Sequence, residues 1–375
     1  MHFLFVASLH HPEALAAAVA ATPPGETPPL FPPSMAQHFY EKALRRRGHT
    51  LDVFYRNIPV WGRVRAERHS ARLTPGKVMA ALGRRMPPQL NPDLRARNAR
   101  LLRQAREQRP DVLWIVGDNT VIYPETIATI KRETGCTVVY ASGTSPVVFS
   151  HPIERRAARL YDLVLVNDYY HGIQWLELGA KRMECLPIAA CDPEFHHPYE
   201  LDEEERRAWG CDIAFVGTLT PNNLYSERVR ALEALRDFDL GIWSVHDVPP
   251  SLRPYVRGSA LGAQMLRILS AARLTINTHG DFMRYGGNMR LFEAAGVGVV
   301  QIADDLPGNR TWFTPGETIL TYRDHDDLRR KVAYYLAHDD ERQALAARAR
   351  EHVYAHHTYD QRVERLEALL SESTH

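Results

Sequence analysis

Short apolar runs recur along the chain, separated by longer stretches in which apolar residues return every three or four positions. Phe3-Leu4-Phe5-Val6-Ala7, Val112 to Val116, Thr137 to Ala141 and Leu163 to Val166 are apolar almost throughout. Strands covered by helices on both faces carry that pattern, whereas strands with one wet face alternate. Met35, Phe39 and Ala43 fall on one face of a helix. Ser34 stands at its N-cap position with Gln37 at the capping-box position, and Gly48 stops it. Leu51 to Tyr55 is the next strand. The proline-rich stretch Thr22 to Pro33 reads as a loop, as does the chain just after the first strand, His2 to Ser8.

A second series opens at Cys211. Asp212 to Gly217, Leu240 to Ser244, Leu274 to Asn277, Val299 to Ile302 and Ile319 to Tyr322 read as strands. Ser226 to Arg236 reads as a helix, and Asp324 to Leu370 is helical and rich in alanine, arginine and glutamate. Strand–helix alternation with no repeat at a solenoid period predicts parallel α/β sheets. The acidic stretch Glu200 to Trp209 lies between the two series and reads as the linker. The expected architecture is two Rossmann-like, doubly wound domains facing across a cleft: 1–195, then 196–355, with a C-terminal helix over 356–375 that would pack back on the first domain. Small-molecule sites concentrate at such domain interfaces.

The bulk properties narrow the function. The chain has 375 residues, 45% hydrophobic and 24% charged, the balance of a globular protein and enough for two full cores. A net charge of +1 argues against a general nucleic-acid binder, which would carry a concentrated basic face. The runs Arg45-Arg46-Arg47 and Arg84-Arg85 read as solvated helix faces. Cys136, Cys185, Cys191 and Cys211 form no Cys-x-x-Cys pair, so neither a zinc motif nor a disulfide framework is expected, and a cytoplasmic setting fits. Met1 to Ala21 is apolar but lacks a basic start, and His10-His11-Pro12-Glu13 interrupts it. A first strand is therefore expected there, not a secretory leader. No stretch approaches the roughly 20 apolar residues of a membrane span.

Candidate chemistry gathers where the strand ending at Asn277 meets the next helix. The sequence runs Thr278-His279-Gly280-Asp281-Phe282-Met283-Arg284-Tyr285-Gly286-Gly287-Asn288-Met289-Arg290-Leu291-Phe292-Glu293. Gly286 and Gly287 allow backbone to approach a ligand closely. The N–H groups of a helix beginning near Asn288, with the positive end of its dipole, favour a diphosphate. Arg290 adds a planar fork suited to phosphate oxygens. Glu293, one turn on, would repel phosphate and suits a hydroxyl donor such as a ribose. No acidic metal motif sits in a convincing loop.

The segment Asn288-x-Arg290-x-Phe292-Glu293-Ala294-Ala295-Gly296-Val297-Gly298 resembles the helix motif of GT-B glycosyltransferases of the group 1 type, and is most similar to the branch named after the spore-maturation protein CgeB. Asp304-Asp305, Phe313-x-Pro315-Gly316-Glu317, Asp327-Leu328, Tyr334-Tyr335-Leu336 and His357-Thr358-Tyr359-x-x-Arg362 follow in the family's order. Phe215-Val216-Gly217-Thr218 is similar to the first strand of its nucleotide-binding domain. Pro187 to Pro198 is similar to the segment that closes its N-terminal domain. The likeness spans 211–365 and is weak before 185.

The resemblance implies a transferase moving a sugar from a nucleoside diphosphate donor to a hydroxyl-bearing acceptor, retaining, with neither metal nor cofactor. Glu293 matches the second of the paired glutamates of retaining enzymes, which holds the donor ribose; Tyr285 stands in place of the first, eight positions earlier. Donor contacts are expected from Gly217, Thr218, Arg228, Gly286, Gly287, Asn288, Met289 and Glu293, with Asn288 or Asp281 taking part of the missing glutamate's role and Tyr255 to Gly258 near the base. Arg290, His279 and Asp118 are the catalytic candidates. His10 and Asp168, at strand ends of the first domain, belong to the acceptor side, where a carboxylate such as Asp118 or Asp168 could orient or deprotonate a hydroxyl. Two other readings stay open: a nucleotide-sugar epimerase, which consumes donor without acceptor, and a catalytically silent scaffold, which binds no nucleotide. A dehydrogenase is disfavoured, since Leu9-His10-His11-Pro12 replaces the glycine-rich turn after strand one.

Overall fold

The computed structural model describes residues 1–60, 87, 90–149, 151–220 and 224–372. The pair Arg84-Arg85 lies outside the described residues. The chain forms two compact units, Met1–Leu186 and Pro187–His375.

The first unit is built on a six-stranded sheet of β1 (His2–Ala7), β2 (Thr50–Tyr55), β3 (Val112–Val116), β4 (Thr137–Ser142), β5 (Leu163–Val166) and β6 (Met183–Glu184), in the order β2-β1-β3-β4-β5-β6. Every pairing is parallel. The strands are apolar because both faces are covered: all five residues of β3 are buried, as are all four of β5. Phe5 stacks on Trp114 at 4.9 Å, and Tyr140 on Tyr161 at 4.5 Å. Such buried aromatic pairs add about 0.5–1.5 kcal/mol beyond their area.

The second unit repeats the plan with β7 (Cys211–Val216), β8 (Leu240–Trp243), β9 (Val256–Gly258), β10 (Ala272–Asn277), β11 (Val300–Asp304) and β12 (Leu320–Tyr322). Their order is β12-β11-β10-β7-β8-β9, again parallel throughout. This is the doubly wound order in which the chain reverses between β7 and β10. The crevice beyond the strands' carboxyl ends at that reversal is where such sheets bind ligands. In the first sheet the reversal falls between β1 and β3.

Several expectations differ from the structure. The chain after β1 is not all loop: Pro12–Ala20 is a helix with no buried residue, entered through His11 at φ 52°. The helix Ala36–Arg46 begins at Met35, without a side-chain cap from Ser34. Tyr255 lies in a 3-10 turn and Val256–Gly258 is the exposed edge strand β9. The stretch read as the linker holds a helix, Glu203–Trp209, inside the second unit.

Residues 187–198 also belong to the second unit, and so does the C-terminal helix Tyr359–Ser371. Cys191 N–H donates to His357 O (2.8 Å), Tyr359 N–H returns a bond to Cys191 O (3.2 Å), and Arg362 Nε donates to Pro187 O (3.2 Å).

Candidate functional site

The strands β7, β10 and β11 bring the predicted C-terminal residues together at their carboxyl ends. Gly217 and Thr218 follow β7; Thr278 and His279 follow β10; Asp304 ends β11. Arg228, on the helix Ser226–Glu233, ties the first two ends together. Its Nε donates to Thr278 O (2.8 Å) and its Nη1 to Thr218 O (2.9 Å). Its guanidinium lies over the Tyr225 ring at 4.9 Å. Burial lowers its pKa, against the opposing pull of Tyr225 and Asp304. Asp281 is occupied elsewhere, accepting the Ser226 and Glu227 N–H groups at the start of that helix (2.9 and 3.2 Å).

His279 faces inward and is 2% exposed. Its Nδ1–H donates to Asp304 Oδ1 (2.6 Å), while Asp304 Oδ2 accepts the His279 backbone N–H (3.1 Å). The other ring nitrogen, Nε2, accepts the N–H groups of Gly287 (3.2 Å) and Asn288 (3.4 Å). Accepting two donors fixes the tautomer with its proton on Nδ1. His279 thus shapes the glycine loop from beneath. Gly286 and Gly287 have φ of 106° and 107°, which side-chain-bearing residues rarely adopt.

With those two amides turned inward, the donors left at the start of the helix Arg290–Val297 are the Met289 and Arg290 N–H groups, which find no acceptor among the described residues. Asn288 anchors the turn: its Oδ1 accepts Leu291 N–H (3.2 Å) and its Nδ2 donates to Asn277 Oδ1 (2.7 Å). Asn277 Nδ2 donates to Gln301 Oε1 (3.1 Å), and Gln301 Nε2 to Leu291 O (2.7 Å). This buried amide chain, absent from the sequence reading, locks β10, β11 and the helix in register. Its signal was present: Asn277 and Gln301 are polar residues inside apolar strands.

Arg290 and Glu293 form an ion pair, Nη1 to Oε2 at 2.7 Å, and Arg290 Nη2 also donates to Val216 O at the end of β7 (3.2 Å). Glu293 is 9% exposed, and its Oε1 has no partner among the described residues. Met289 is exposed. Behind them the helix packs closely on 191–196: a Cβ on Gly296 would lie 2.6 Å from Cys191 Sγ and 2.8 Å from His196 O. The glycine of the Ala-Ala-Gly run is required by that approach. Among the described residues no three His, Cys, Asp or Glu side chains gather in a way that would hold a metal ion, and no helix is long and apolar enough to cross a membrane.

In the first unit the predicted residues part company. Asp168 is fully buried and caps the helix Tyr169–Glu177, accepting Tyr170 N–H (2.9 Å). Asp118 is exposed beyond β3, with Thr144 Oγ1 donating to its Oδ1 (3.4 Å). His10 is exposed beyond β1, its pKa lowered by partial burial and by His11 and Arg56. The sequence reading missed two buried charged groups here, Arg56 and Glu154. Glu154 accepts Asn119 N–H and the Tyr140 hydroxyl, and burial pushes its carboxyl up to about 7.

A family model described as glycosyl transferase-like matches residues 226–368, which hold the glycine loop, Arg290 and Glu293. The whole chain is similar to solved GT-B structures. They include a sucrose-phosphate synthase from Thermosynechococcus elongatus (15% identity, 99% of each chain, TM-score 0.60) and HepE from Anabaena in complex with UDP and glucose (12%, 99% of this chain and 100% of that one, 0.58). A glycosyltransferase from Rickettsia africae ESF-5 is a third (11%, 100% and 98%, 0.61). No curated protein matches in sequence. The fold is GT-B, and the matched domain is that of a glycosyltransferase.

Proposed function

We propose that this chain moves a sugar from a nucleoside diphosphate donor to a hydroxyl-bearing acceptor, as a retaining, metal-independent transferase of the CgeB-like branch that needs no cofactor. The observation that carries this is Glu293, held in the first turn of its helix with one carboxylate oxygen paired to Arg290 and the other open. A ribose hydroxyl would donate to Oε1. The diphosphate would lie against the Met289 and Arg290 N–H groups, where the helix dipole favours negative charge. As the bond from the sugar carbon to the diphosphate oxygen breaks, its electron pair leaves with the diphosphate, and these donors together with the Arg290 guanidinium stabilise the growing charge. The acceptor oxygen forms the new bond and gives its proton to a general base. The HepE structure holds UDP and glucose on this fold, which supports a nucleotide-sugar donor here.

Calorimetric titration of the purified chain with a panel of nucleoside diphosphates, with and without a chelator, tests the reading. One of them at 100 times its dissociation constant should stabilise the protein by about 2.7 kcal/mol. Binding abolished by the chelator removes the metal-free part, and no binding by any of the panel removes the donor site.

A further inference from the structure

We propose that the first unit holds an anionic group, a carboxylate or phosphate borne by the acceptor, on the buried guanidinium of Arg56 at the β1–β3 reversal of its sheet. This names the acceptor class of the transfer reaction and rests on that reading.

Arg56 follows β2 and is 6% exposed. Its Nη1 donates to Val116 O (2.6 Å) and lies 3.4 Å from Val6 O, so it sits across the carboxyl ends of β3 and β1, the two strands that flank the reversal. Ligands of open parallel sheets bind at that point. The same guanidinium makes no ion pair with any described residue, and its Nη2 and Nε have no hydrogen-bond acceptor among them. A buried cation without a paired anion is costly, since charges so placed are ordinarily paired. Its carboxylate neighbours act at longer range: Asp118 and Glu154 favour its charged form, while burial opposes it. Glu154 is committed to Asn119 and Tyr140, and the same burial favours its neutral form.

Nη2, on the open side of the guanidinium, lies beside Gly117. This residue has φ 72°, and a Cβ there would lie 3.4 Å from Arg56 Nη2. His10 lies within electrostatic reach of Arg56 from the β1 side, and Asp118 from the β3 side. The structure therefore converges two exposed polar groups on one buried, unpaired guanidinium. A planar fork with free Nη2 and Nε donors suits two oxygens of one anion. Arg56 would hold the acceptor's charge while Asp118 faces its hydroxyls.

The test uses the full chain titrated calorimetrically with inorganic phosphate, a hexose 6-phosphate, a hexuronate and the uncharged hexose. Each titration is made with and without saturating UDP, so that phosphate capture by the second unit is separated out. The expected result is binding of an anion that persists with UDP present, absent for the uncharged hexose, and weakened at least tenfold in Arg56→Gln. Asp118→Asn alters an exposed residue and should fold as the parent does. Removing its like charge should tighten anion binding severalfold. Anion binding equal in parent, Arg56→Gln and Asp118→Asn, or no anion binding at all, overturns the proposal. UDP binding without anion binding overturns the acceptor class alone and leaves the transferase reading standing. A preference between phosphate and hexuronate identifies which anion the acceptor bears.

Discussion

Asp304 Oδ1 lies 2.6 Å from His279 Nδ1, and this pairing decides what the other ring nitrogen does. With the proton held on the Asp304 side, Nε2 is an acceptor and takes the N–H groups of Gly287 and Asn288. His279 is then a positioning residue for the loop that precedes the donor helix. His279→Ala leaves two amides and a carboxylate short of partners, a loss of about 1–3 kcal/mol for a buried group. The expected signature is local: hydrogen exchange at Gly287 and Asn288 speeds up relative to β11, and nucleoside diphosphate affinity falls with it. Unchanged exchange at those two amides would show that the loop holds its shape without the ring.

Glu293→Gln tests the ribose contact. Glutamine keeps the shape and an oxygen acceptor but loses the charge. A hydrogen bond to a charged group contributes about 1.5–3 kcal/mol and a neutral one about 0.5–1.5, so nucleoside diphosphate affinity should fall by the difference, roughly five- to tenfold. The corresponding base monophosphate, which shares the ribose, should weaken by the same factor, while inorganic pyrophosphate should not. Equal weakening of pyrophosphate would mean that the change acts through Arg290 and not through the ribose.

Arg290→Lys is not conservative in this geometry. Arg290 reaches Glu293 Oε2 and Val216 O at once, in two directions that a planar fork spans and a single ammonium does not. Charge on the diphosphate oxygens rises only as the glycosidic bond breaks, so turnover should fall more than ground-state donor affinity. A tenfold loss in kcat, about 1.4 kcal/mol, is the expected scale. Steady-state kinetics with kcat within about twofold of the parent would leave the diphosphate to the backbone amides.

The parts of the molecule that were legible in sequence share one physical cause. Strands buried on both faces must be apolar throughout, so β1, β3, β4 and β5 announced themselves, and Gly286, Gly287 and Glu293 stood out where an apolar strand gave way to a helix. The short edge strands β6 and β9 carry too few residues to show a period. Pro12–Ala20 buries nothing, so its alanines left no apolar stripe. His279, just past the end of a strand, was expected among the catalytic residues. Its inward turn depends on Asp304, twenty-five residues away in sequence. Arg56 gave no signal at all, since one arginine after a strand looks like any surface cation. Its meaning comes from the two carbonyls of β1 and β3 that only the folded sheet brings beside it.

Glu154 and His357 give the two units opposite responses to pH. Glu154 is pushed up from 4.5 to about 7, first by burial. Its contribution is complete below pH 4.5 and is lost as pH rises through 7, because the unfolded chain ionises first. His357 is pushed down from 6.5 to about 3, by burial and then by Arg362. Its contribution is complete above pH 6.5 and is lost as pH falls toward 3, because the unfolded chain protonates first. Each group imposes at most about 1.4 kcal/mol per pH unit within its window. Native-state hydrogen exchange resolves the units, with β4 reporting on the first and the helix Arg290–Val297 on the second. Glu154→Gln should flatten the decline of β4 protection between pH 4.5 and 7 and leave the helix unchanged. His357→Gln, whose amide can still donate to Trp312 O as His357 Nε2 does at 2.8 Å, should flatten the decline of helix protection below pH 6.5 and leave β4 unchanged. Variant curves running parallel to the parent's across both windows would mean that neither group's burial governs the pH response of its unit.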